Sequence, residues 1–91
     1  LKGHTGGVTS VCFSPRGRLV LTGSEDKTAK LWDAKTGEEV LYFEGHTDRV
    51  TSVCFSPDAR LVLTGSEDQT AKLWYADPGD PSLKFTLTDT S

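Results

Sequence analysis

Apolar residues along the chain fall in short runs, each closed by a cluster of turn-forming residues. "VTSVCFS" at 8–14 stops at "SPRG", and "RLVLTGS" at 18–24 stops at "ED". "KTAKLW" follows at 27–32, and after "DAKTG" comes "EEVLYFE" at 38–44. Short runs rich in β-branched and aromatic residues, with no helical period, predict strands over 8–14, 18–24, 28–33 and 38–44. Ser14-Pro15-Arg16-Gly17 has the chemistry of a type I turn, with Pro15 presetting φ at its second position. The runs "LVL" and "VLYF" do not alternate strictly, which predicts sheets covered on both faces.

The same series returns at an offset of 42 residues and predicts further strands over 50–56, 60–66, 70–75 and 82–87. Residues 3–32 and 45–74 differ only at Gly6/Asp48, Gly7/Arg49, Arg16/Asp58, Gly17/Ala59 and Lys27/Gln69, all in predicted turns. Beyond that the copies drift, keeping Ala34/Ala76, Gly37/Gly79, Leu41/Leu83 and Phe43/Phe85. The chain therefore divides into two units, 1–44 and 45–91. Ala59 stands where the first copy has glycine, at a cost if that position needs positive φ. Val8, Val11, Phe13, Leu19, Leu21, Leu31 and Leu41 are the expected core of the first unit, with Trp32 and Trp74 as core anchors. "DAKTGEE" reads as a solvated rim, and "DPGDP" at 77–81 as a proline-stiffened loop.

Each unit carries a glycine-histidine pair (Gly3-His4, Gly45-His46), four strands and a closing tryptophan, followed by aspartate in the first copy (Trp32-Asp33). In this it resembles the WD40 repeat of β-propellers. The resemblance implies an all-β fold of two four-stranded antiparallel blades. These would assemble head-to-tail into a closed propeller, with eight blades favoured. Two positions depart from the pattern: Tyr75 follows the second tryptophan, and "TLTDTS" at 86–91 stands where a third glycine-histidine would begin.

A histidine, a serine, an aspartate and a tryptophan recur at matched positions: His4, Ser24, Asp26, Trp32 and His46, Ser66, Asp68, Trp74. The family resemblance makes these a structural tetrad, in which tryptophan donates to serine, serine bonds histidine and histidine bonds aspartate. Four buried polar groups closed into one chain satisfy each other. The alternative is a serine hydrolase using the same His/Ser/Asp sets. No GxSxG elbow exposes either serine, so no catalytic residue is assigned.

Charge and cysteine content narrow the function further. A net charge of −3 and a pI near 5.2 argue against nucleic acid, which calls for a basic stripe. No apolar run approaches the length of a membrane-spanning helix. Cys12 and Cys54 lie in the same "SVCFSP" context one repeat apart, too distant on neighbouring sheets for a disulfide. They are expected as two small buried thiols in a reducing, cytoplasmic compartment. No cysteine or histidine spacing suits a metal, and no cofactor is implied. A non-catalytic repeat module is expected. Its resemblance-implied partner face comprises Thr5, Gly7, Glu25, Thr47, Asp48, Arg49 and Glu67. Its other expected partner is itself, in a homo-oligomer of four chains, with three chains next.

Overall fold

The computed structural model describes residues 3–76 and the strand Leu83–Thr88, of which only Thr86 is described beyond its backbone. The strands are β1 Val8–Phe13, β2 Leu19–Ser24, β3 Thr28–Asp33, β4 Glu39–Glu44, β5 Val50–Phe55, β6 Leu61–Ser66, β7 Thr70–Tyr75 and β8 Leu83–Thr88. They form two antiparallel four-stranded sheets in chain order, β1-β2-β3-β4 and β5-β6-β7-β8. The "DPGDP" loop lies outside the described residues.

Short turns make this meander. The Gly17 N–H donates to the Ser14 carbonyl at 2.8 Å, closing the type I turn, and the Ser14 hydroxyl accepts the Leu19 N–H at 3.0 Å. Gly17 sits at φ +73°, and Ala59 is held at +62° in the second copy, so the substituted glycine does carry a conformational cost. The β2–β3 and β6–β7 turns likewise place Lys27 and Gln69 at φ +77° and +69°.

Strand register sorts the side chains onto two faces. On one face of the first sheet, Leu21, Leu31 and Leu41 are cross-strand neighbours, and Gly23, Ala29 and Phe43 form the next row. On the other, Val20 opposes Trp32, and Thr22, Lys30 and Tyr42 make a row. The second sheet repeats this register from β5 to β7 and pairs β8 two residues further along, with Leu87 opposite Ala71 where Phe43 opposes Ala29. Its Val62–Trp74 face lies against the leucine face of the first. Phe43 packs on Trp74 with ring centroids 5.3 Å apart. Leu21, Leu31, Val50 and Val62 are fully buried in the resulting seam, each contributing about 1.5–3 kcal/mol by burial.

The inner end of the seam is a knob and a notch. A Cβ on Gly23 would stand 2.6 Å from a Val50 methyl and 3.1 Å from a Val53 methyl, so the two valines occupy the space its missing side chain leaves. Thr9 interrupts the β1–β2 register as an extra residue between Val8 and Ser10. Its hydroxyl donates across the seam to the Val50 carbonyl.

Three core expectations fail. Val8, Val11 and Phe13 are 53%, 66% and 67% exposed, because they point to the side of the first sheet that no other described sheet covers. The cysteines are free, but Cys12 is half-buried and Cys54 exposed rather than buried: Cys54 pairs with Leu63 on the face of the second sheet turned away from the first, while Cys12, beside Leu21, lies on the face turned toward the second sheet. Leu21, Leu31, Leu41, Trp32 and Trp74 are buried and Leu19 half-buried.

Ala59→Gly should therefore stabilise the chain by about 0.5–1 kcal/mol, by relieving a left-handed residue that carries a Cβ. Gly17→Ala should destabilise it by a similar amount. Urea denaturation of both variants checks the pair, and an Ala59→Gly midpoint below the parent's would contradict the assigned turn.

Candidate functional site

The site grows from Trp32. Its indole lies on the Val20–Trp32 face, and Gly3 crosses the ring so closely that a Cβ there would meet Trp32 Cη2 at 3.1 Å. Gly3 is at φ +152°, so both conformation and clearance call for glycine, and His4 is delivered to the ring edge. The two rings meet edge-on with centroids 6.0 Å apart. Lys30 closes the outer side, donating to the Gly3 carbonyl at 2.9 Å and to Glu39 at 2.8 Å.

Trp32 Nε1–H donates to the Thr22 hydroxyl at 2.8 Å, and that hydroxyl lies 2.7 Å from His4 Nε2. His4 Nδ1 is 2.9 Å from Asp26 Oδ2. A carboxylate only accepts, so Nδ1 carries the proton, and Nε2 then accepts the single proton of Thr22. The chain runs one way, from indole to hydroxyl to imidazole to carboxylate. Every member is satisfied, with Trp32 and Thr22 each 2% exposed.

Asp26 is the anchor. Its carboxylate accepts from the Thr5 N–H at 3.0 Å, the Thr28 N–H at 2.9 Å and the Thr28 hydroxyl as well as from His4. Burial alone pushes this carboxyl up. The bonds from the Thr28 hydroxyl, the His4 ring and the two backbone N–H groups outweigh it and hold the carboxyl well below the usual carboxylate range. Asp68 is held down by the same balance, through Thr70, His46 and Thr47.

The second unit repeats the network: Trp74 to Thr64 at 2.9 Å, His46 Nε2 to Thr64 at 2.7 Å, and His46 Nδ1 to Asp68 at 2.9 Å. The hydroxyl in the chain is thus Thr22 or Thr64, not Ser24 or Ser66. In register, Trp32 opposes Val20, which puts Thr22 one same-face step away and Ser24 two. Each step is about 6.7 Å, so the indole N–H reaches the threonine and falls short of the serine. The serines tie the loops instead. Ser24 Oγ accepts the Asp26 N–H at 3.1 Å. Ser66 Oγ does the same for Asp68 and donates to the Asp48 and Arg49 carbonyls.

All seven expected partner-face residues are exposed on the rim formed by the histidine loops and the aspartate turns. Thr5 and Thr47 are tied to it through Asp26 and Asp68, and the Gly7 and Arg49 carbonyls accept the Glu25 and Glu67 N–H groups. Arg49 bridges the two units, 3.1 Å from Glu25 and 3.6 Å from Glu67. Among the described residues, no group of three histidine, cysteine, aspartate or glutamate side chains could hold a metal.

The family model described as "WD domain, G-beta repeat" matches residues 1–33 and 37–75. "Protein Mut11" of Chlamydomonas reinhardtii is 55% identical over 40 residues, which are 44% of this chain and 11% of that protein. "Nuclear distribution protein PAC1" of Candida albicans is 52% identical over 33 residues, 36% of this chain and 7% of that protein. "Pre-mRNA-splicing factor PRP46" of Yarrowia lipolytica is 50% identical over 38 residues, 42% of this chain and 9% of that protein. The chain spans 11% or less of these curated relatives, and each match is about one repeat long.

Thr22→Val keeps the side-chain shape but strands a buried indole N–H and an imidazole nitrogen, and should cost about 1–3 kcal/mol. Ser24→Ala should cost less, since it strands only the Asp26 N–H. Equal losses in urea denaturation would contradict a threonine hub.

Stability should also depend on acid. A folded-state carboxyl held below its unfolded value of about 3.9 stabilises above that pH, and the gain is lost as pH falls below it. Thermal melts should show the parent losing stability from about pH 4 downward. Asp26→Asn/Asp68→Asn should melt lower at pH 7 and change less across the acid range.

Proposed function

Because the chain belongs to the WD40 repeat family, we propose that it is a non-catalytic module that builds part of a propeller and offers its histidine-loop rim to other proteins. The observation behind this is the double network. In both blades the groups that could do chemistry are locked into bonds that hold two rim loops in place, while the rim outside them is exposed and varied in charge. The unpaired thiols suit a reducing compartment, which favours a cytoplasmic placement.

The hydrolase reading has one geometric point in its favour, since Asp26, His4 and Thr22 stand in the order acid, base, nucleophile. Against it, Thr22 and Thr64 are 2% and 0% exposed, and the hydroxyl of each already accepts an indole N–H. A hydroxyl so placed has no room for an acyl group. Covalent labelling by a broad serine-hydrolase probe at Thr22, Thr64, Ser24 or Ser66 would overturn the non-catalytic reading.

The ring is proposed from the outer faces. The two blades cover only the faces turned toward each other, and further copies of this chain would cover the rest. A two-blade chain gives even blade numbers, so six needs three copies and eight needs four. We favour eight within the usual range of about four to eight blades, because a narrower wedge per blade leaves the large seam side chains more room. Light scattering behind a sizing column should find four chains of 9.9 kDa, about 40 kDa in all. Three chains would overturn the blade count, and a folded single chain would overturn the ring.

The rim should be dispensable for folding. Glu25, Glu67 and Arg49 are about half exposed, and such pairs are worth about 0–1 kcal/mol. Arg49→Ala should therefore shift the urea midpoint only slightly. A loss above about 2 kcal/mol would make this rim a structural clamp rather than a surface available to partners.

A further inference from the structure

We propose that a second copy of this chain docks on the open face of the second sheet by seating its Val8 and Val11 in the notch at Gly65, and that this seam lacks the ionic clamp of the internal one. The proposal rests on the ring reading and specifies its joint.

The internal seam is the template. Val50 and Val53 fill the notch at Gly23, Thr9 donates to the Val50 carbonyl, and Arg49 pairs with Glu25. Moving each partner by the 42-residue repeat leaves Gly65, Thr51 and Glu67 on the open face of the second sheet, and Val8, Val11 and Gly7 on the open face of the first. The packing elements are chemically identical: β1 and β5 both read VTSVCF, and β2 and β6 both read LVLTGS. Whatever makes Val50 fit Gly23 therefore makes Val8 of a second copy fit Gly65.

Both halves of this joint are open in the single chain. Val50 is 0% exposed, whereas Val8 is 53% and Val11 66% exposed. The notch at Gly65 is a hollow of about 150 Å³ lined by Ser52, Val53, Cys54, Leu63, Gly65 and Ala71. Among the described residues, a Cβ on Gly65 would meet only Ser52 of its own sheet, with no valine from a neighbour such as fills Gly23. Thr51, the counterpart of Thr9, turns its hydroxyl back to the Gly65 carbonyl of its own sheet at 3.3 Å. On docking it would swing to the Val8 carbonyl of the second copy. Knob and notch lie on different surfaces, so the contact is head-to-tail and propagates until it closes.

Among the residues that make the notch, the valine knob and the clamp, the one that does not repeat is Arg49, whose counterpart is Gly7. Glu67 of one copy would thus face Gly7 of the next, and the joint between copies keeps the valine-and-glycine packing of the internal seam without its ion pair, with Leu87 in the register position of Phe43. It is the weaker of the two seams. Gly7 is not at positive φ, and a Cβ there would meet only the flexible end of Glu25, so an arginine fits.

The test is sedimentation of the parent chain and three variants, with circular dichroism to confirm folding. Val8→Asp charges a knob that is exposed within its own chain, so it should stay folded and be monomeric. Ala71→Lys fills the notch and should also be monomeric. Mixed in equal amounts, the two retain one intact notch and one intact knob, and should form a pair of 9.9 kDa chains that grows no further. Gly7→Arg should tighten assembly by about two- to five-fold per joint at low salt, the worth of an exposed ion pair. A parent that assembles while Val8→Asp assembles equally well overturns this joint and leaves the ring reading standing. A parent that stays monomeric overturns both. A folded mixture with no pair, or Gly7→Arg without tightening, overturns the head-to-tail register even if the parent assembles.

Discussion

A four-stranded sheet that is apolar on both faces has to be covered on both, and most of this structure follows from that requirement. Within the chain, the leucine face of the first sheet meets the tryptophan face of the second, so one copy of each face is buried. The seam works because the faces are shaped differently. One has a notch at Gly23, and the other carries Val50 and Val53 to fill it. An interface made of two unlike faces of one repeat leaves the complementary face of each sheet for a further copy, which is the basis of the proposed ring.

The polar network serves the same seam. Trp74 must present its ring to Phe43 while its indole N–H stays buried, and a buried donor without a partner would cost several kcal/mol. The Thr64 hydroxyl accepts that N–H and donates its own O–H to His46, and His46 donates to Asp68, a carboxylate at the rim whose charge is held by backbone N–H groups. The burial that builds the seam and the bonds that order the rim loops are therefore one system. Loosening the indole would loosen the rim loops that carry the proposed partner face.

Much of this was legible in the sequence. The strands, the meander and the two-sheet division follow from short apolar runs closed by Ser-Pro and Glu-Asp turns, and Ala59 could be flagged because turn chemistry is local. The network was recognised with one member misplaced. Ser24 and Thr22 share a face, so alternation does not separate them. Counting the hairpin register would have, since it sets Trp32 opposite Val20 and Thr22 next in line.

The two repeats divide what sequence determines from what only packing decides. β1 and β5 have the same six residues, yet Val50 is fully buried and Val8 half exposed, and β2 and β6 are equally alike while Leu21 is buried and Leu63 only half so. Sequence alone determined the strands, the strained turn at Ala59 and the histidine, aspartate and tryptophan members of the network, because these depend on local chemistry and on the repeated pattern. The threonine hub came from the strand register. Only the tertiary structure decided which apolar residues were core and which were left as a docking face. Burial depends on what another sheet covers, and two identical strands with different neighbours are buried differently.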